Sequence, residues 1–208
     1  MGRIRCRVSP GAAILWLGGL ALGLWEWRLQ GTGLLEELMP VAVIVGCALL
    51  HELGHVGMAR WAGVEIRGLQ LDLFGARMEL VGLIPYGKEA LVALGGPLAN
   101  LLSAGIIYPV WRRQGGEGFL LFVVASVLLA VVNLLPRGTL DGGRVLYCVT
   151  ARRWGEDAAQ GIRRAATGVF LGGLWLFSVY GLLVSAEFLS LFAFSLCLLL
   201  RSLEDGKG

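Results

Sequence analysis

Residues 39–59 read MPVAVIVGCALLHELGHVGMA, an apolar run interrupted near its end by His51, Glu52 and His55. A helix rises about 1.5 Å per residue, so about twenty apolar residues cross a hydrocarbon core of about 30 Å. The stretch therefore reads as a membrane-spanning helix, and that reading sets the class of fold. Ionisable side chains inside such a span are costly and usually functional. The alternative is a helix end whose polar residues merely touch lipid headgroups.

The rest of the chain agrees with lipid as its solvent. Of its 208 residues, 56% are hydrophobic and 16% charged, which is too apolar for an ordinary soluble domain. Further spans are expected at 12–27, 91–111 and 119–136. Beyond Gly168 the apolar sequence would cover roughly 50 Å as a helix, more than one crossing. It divides near Ser185–Glu187 into spans 168–184 and 187–200, with one long tilted helix as the alternative. Residues 64–81 differ: apolar and β-branched residues alternate in part around a Phe74-Gly75 turn, the pattern of a short hairpin at the membrane face. The expected fold is an all-α polytopic membrane protein, one domain over 1–208, with about six transmembrane helices and a membrane-associated β-hairpin between the second and third.

Arg3, Arg5 and Arg7 precede the first apolar run, as in a signal peptide. Trp25, Glu26 and Trp27 follow it in place of a small-residue cleavage site and resemble an interfacial aromatic belt. An uncleaved span is therefore expected. Fifteen of the eighteen Lys and Arg then fall on one side of the membrane, which puts both termini in the cytoplasm. The net charge of +3 is small and gives no reason to expect a nucleic-acid partner; the bilayer itself is the expected surroundings. Cys6, Cys47, Cys148 and Cys197 are widely spaced and form no CxxC pair, so neither a thiolate metal site nor a disulfide framework is indicated.

The chain has two histidines, and both lie in His51-Glu52-Leu53-Gly54-His55. Four residues apart on a helix, they project from one face and can offer two imidazole nitrogens to one Zn²⁺, with Glu52 beside them as general base. Counted from Met39, His51 lies about 18 Å into the core, in its cytoplasmic half, so a wet cavity must reach it. Catalytic zinc commonly takes three protein ligands. With no third histidine, a carboxylate is expected, and Asp141 is the best-placed candidate. It follows the fourth span on the same side as His55; Pro136 ends that helix and Gly142-Gly143 lets the backbone turn. A solvated Asp-Gly turn is the alternative for Asp141, and Glu65, Asp72, Glu79 and Asp157 are weaker rivals. These groups suit peptide hydrolysis by one zinc ion with no other cofactor. A membrane metal transporter or metal-binding scaffold would also use intramembrane His and Asp, but has no need of the Glu52 base.

Together these residues resemble the site-2 protease family of intramembrane zinc metalloproteases. HELGH matches the family's zinc helix, Gly96-Pro97-Leu98-Ala99-Asn100 its small-residue motif, and Asn133 to Gly143 its second metal motif; the layout is most similar to the sporulation-type branch. The resemblance implies one zinc per chain on His51, His55 and Asp141, with Glu52 catalytic. It also implies that Asn133 and Pro136 position substrate, with capping of the exposed backbone at the span end as the alternative for Asn133; Gly95, Gly96 and Asn100 suit close helix packing or substrate contact. The implied substrate is a membrane-associated protein, for instance a sigma-factor precursor, cut in or near its membrane segment, with a regulatory membrane partner and a bacterial cell-membrane location. No CBS or PDZ domain is expected.

Overall fold

The structure, a computed structural model, describes residues 5–8, 34–72, 75–138, 140–185 and 188–205. The expected first span at 12–27 lies outside them. The elements run β1 (Arg5–Val8), α1 (Leu34–Trp61), β2 (Ile66–Asp72), β3 (Gly75–Leu80), α2 (Tyr86–Gln114), α3 (Glu117–Asn133), α4 (Asp141–Trp154), α5 (Glu156–Val184) and α6 (Leu189–Asp205). They form two compact units, Met1–Leu135 and Pro136–Gly208.

In the first unit α1 packs on α2 and α3, and α2 packs on α3. The end of α1 is a Schellman turn. Gly63 takes a positive φ of 67°, its N–H donates to the Arg60 carbonyl at 3.1 Å, and Val64 N–H reaches back to the Ala59 carbonyl at 2.8 Å. A side chain would strain that left-handed position; glycine does not. The turn returns Val64 onto Val56 and Ala59, which with Val92 of α2 form a small buried core flanked by Ala62, Ile66 and Ile84. Ile66 opens β2, so this core also anchors the base of the sheet.

The sheet has three strands in the order β1-β2-β3. Strands β2 and β3 are antiparallel from Asp72↔Gly75 to Ile66↔Leu80, with a bulge between Ile66 and Gly68. Strand β1 adds in parallel, Arg5↔Gly68 to Val8↔Leu71. Its residues were expected to be only a charged tail. Four residues are too few for a period-2 signal, and a parallel partner over sixty positions away leaves no local mark.

In the second unit α4 packs on α5, and α5 on α6. Helix α4 occupies sequence expected to be a loop. Its signals are end signals rather than an apolar run: Asp141 in the first turn, Arg152 and Arg153 in the last, then Gly155 at φ 86°. Helix α5 likewise begins twelve residues before the expected span at 168, through a polar first third; it ends at Val184, and Ser185 leaves in extended conformation.

Three of the described helices are long and apolar enough to cross a membrane: Leu38–Trp61, Tyr86–Gln114 and Glu156–Val184. Helix α3 is apolar but has 17 residues.

Candidate metal centre

On α1 the positions 47, 51 and 55 fall on one face, as i, i+4 spacing requires. All three are buried: Cys47 is 1%, His51 4% and His55 7% exposed. Cys47 is seated by α3, where Ser126 Oγ donates to its sulfur at 3.3 Å. Glu52, one position on from His51, is half-buried.

The imidazoles are packed against α2. His55 Nδ1 lies 2.8 Å from the Val92 carbonyl oxygen. A carbonyl only accepts, so Nδ1 carries the proton and Nε2 the lone pair. The Gly96 N–H also approaches Nδ1, at 3.2 Å, as the longer and weaker contact. The Nε2 atoms of His51 and His55 stand 3.2 Å apart. Two nitrogens bound at about 2.0–2.1 Å to a tetrahedral ion are about 3.3 Å apart, so the pair already has the spacing of two ligands.

Glycine makes the approach of α1 and α2 feasible. A Cβ on Gly54 would meet the Ala99 Cβ at 2.6 Å and run into the Gly95 carbonyl; one on Gly95 would meet the Met58 Cβ at 2.8 Å. One on Gly96 would lie 2.7 Å from His51 Nε2 and closer still to His55 Nε2. Gly96 therefore provides the space for the two ring nitrogens. Pro97 follows it, fully buried, and its missing N–H deprives the Ala93 carbonyl of a helical donor. Asn100, one turn further along α2, places its Nδ2 3.4 Å from His51 Nδ1.

In the second unit, Asp141 is the first residue of α4 and is 9% exposed. A carboxylate there sits at the positive end of the helix dipole. The preceding turn is tied down within the unit. Leu140 N–H donates to the Arg137 carbonyl at 2.9 Å, and Thr167 Oγ1 of α5 donates to the Pro136 carbonyl at 2.7 Å. Gly143 packs directly on the Arg137 carbonyl, leaving no room for a side chain. Asn133, the last residue of α3, donates its Nδ2 to the Leu129 carbonyl at 2.9 Å and so caps its own helix.

In the first unit His51 and His55, both buried, offer two imidazole nitrogens to a metal ion, and in the second Asp141, also buried, offers a carboxylate. Two neutral imidazole nitrogens and a carboxylate oxygen suit a divalent ion of intermediate softness. The Val92 carbonyl and Gly54 escaped the reading of the sequence. Only the Gly in HELGH hinted at the second; a backbone acceptor leaves no trace in a sequence at all.

The fold and this centre define a class: a membrane protein built around an HExxH metal helix. No protein-family model matches the chain, but individual proteins do. It is 31% identical over 135 residues to the zinc metalloprotease Rip3 of Mycobacterium tuberculosis, covering 61% of this chain and 34% of that one. It is 29% identical over 170 residues to stage IV sporulation protein FB of Bacillus subtilis, covering 77% of this chain and 57% of that one. The chain thus spans about one third to about three fifths of these relatives' lengths. The solved site-2 protease of Methanocaldococcus jannaschii superposes with a TM-score of 0.65 over 98% of this chain and 93% of that one, at 18% identity. The chain is therefore similar in sequence to zinc metalloproteases over part of their length and shares the fold of the solved site-2 protease.

Proposed function

We propose that this chain is an intramembrane zinc metalloprotease that hydrolyses a peptide bond in or near the membrane segment of a membrane-associated protein. The observation that carries the reading is the 3.2 Å separation of the His51 and His55 Nε2 atoms on a membrane-length helix that also bears Glu52. Relatives named as zinc metalloproteases support zinc as the ion, held once per chain by His51, His55 and Asp141. When bound, zinc supplies Lewis acidity that polarises the scissile carbonyl and acidifies water. Glu52 takes the proton from the attacking water and delivers it to the departing amine. Asn133 and Pro136 precede the turn that leads to Asp141 and position the substrate segment beside it. The chain is multi-pass in a bacterial cell membrane, with both termini cytoplasmic, as its Lys and Arg distribution supports.

A sigma-factor precursor or another membrane-tethered regulator is the substrate class that the resemblance of this chain's motifs to the sporulation-type branch implies. The test is co-expression with candidate precursors, comparing the wild type with Glu52→Gln by product size. Cleavage by the wild type and none by the variant, with one zinc per chain retained in both, supports the reading. Equal cleavage by Glu52→Gln removes Glu52 from its role, and loss of zinc from that variant removes the separation of base from ligands.

A further inference from the structure

Asn100 is fully buried. Its Nδ2 faces His51 Nδ1 at 3.4 Å, while its Oδ1 finds no hydrogen-bond partner among the described residues. A buried polar atom left without a partner costs about 1–3 kcal/mol, so its retention needs a reason. In this arrangement His51 Nδ1 acts as the acceptor, which leaves the His51 proton on Nε2. A metal ligand needs the reverse: a histidine that binds through Nε2 carries its proton on Nδ1 and donates it to an outer partner. Half a turn of the amide exchanges its oxygen and nitrogen. That turn sets Oδ1 against Nδ1–H and gives the buried oxygen the donor it lacks.

We propose that Asn100 is the positioning residue of His51: its Oδ1 accepts the Nδ1 proton and holds the imidazole in the tautomer whose Nε2 faces His55 Nε2. The inference rests on the metal-site reading above. Both ligands are then oriented by α2, by different means. His55 is fixed by the Val92 backbone carbonyl at 2.8 Å, which no substitution deletes, whereas His51 depends on a side chain. Asn100 touches His51, so its loss shows first in metal affinity.

The test uses the full chain purified in detergent, titrated with zinc against a competing chelator, as wild type, Asn100→Leu and Asn100→Asp. Leu keeps the approximate shape and removes the acceptor; Asp keeps an acceptor oxygen. Asn100→Leu is expected to weaken zinc binding by roughly 10–100-fold, and Asn100→Asp to restore it to within about threefold of the wild type. A cooperative melting transition of each metal-free protein separates this from misfolding. Zinc affinity of Asn100→Leu within about twofold of the wild type, or of Asn100→Asp as weak as Asn100→Leu, overturns the proposal. Should Asn100→Leu not fold, Asn100→Asp decides alone: near-native affinity supports the proposal and a loss of about tenfold overturns it. A wild type that binds no zinc overturns the metal site itself, a failure distinct from both.

Discussion

Gly54 and Gly95 face each other across the α1–α2 crossing so closely that a methyl group on either would strike the other's carbonyl oxygen. Backbone cannot swing aside as a side-chain tip can. Gly54→Ala or Gly95→Ala must push the helices apart, at a cost of about 1–3 kcal/mol typical of overpacking. Thermal unfolding of the metal-free chain in detergent should register the loss, and an unchanged melting temperature in both variants would contradict the crossing described.

Gly96 is a different case, because its obstacle is two imidazole rings rather than backbone. Gly96→Ala should leave the metal-free melting temperature close to native while displacing the ring nitrogens. Zinc affinity is then expected to fall at least tenfold, on the scale seen when ligand orientation is disturbed. Chelator competition measures it, and native affinity would show that the rings can retreat at no cost.

Asp141→Asn keeps the shape of the side chain and removes its charge. As a ligand Asp141 should matter at least as much as an outer partner, so zinc affinity should drop by more than roughly 10–100-fold, with helical content by circular dichroism unchanged. Native zinc occupancy at limiting metal would remove Asp141 from the site.

Thr167→Val cuts the hydroxyl that holds the Pro136 carbonyl at 2.7 Å without altering bulk. The turn before Asp141 should loosen by about 1 kcal/mol, the net value of such a bond. Faster hydrogen exchange at Leu140, measured by mass spectrometry of the segment, is the expected sign. Equal exchange rates would show that Gly143 against Arg137 suffices to hold the turn.

Ser178 and Ser195 share a 2.7 Å hydrogen bond between α5 and α6, while each also donates to, or lies within reach of, its own helix carbonyl, at Trp175 and Phe192. A double-mutant cycle of the two Ser→Ala changes should give a coupling of about 0.6 kcal/mol, the usual value inside membranes. Strict additivity would mean that the own-helix bonds satisfy both hydroxyls.

The sequence by itself determined the membrane-length helix through His51 and the one-faced pairing of His51 with His55. Both are local properties, set by 1.5 Å of rise and 3.6 residues per turn. It also supplied Asp141 as the carboxylate to expect, from Pro136 and Gly142-Gly143 around it. Strand β1 and helix α4 were not legible: one is too short for periodicity, and the other's pattern is not that of a span. Tertiary structure alone decided how the rings are held. Val92 stands 37 positions from His55 and Asn100 49 positions from His51. A hydrogen bond to a backbone carbonyl, or a glycine that leaves room for a ring, depends on where two helices cross, and that follows from packing rather than from any local spacing.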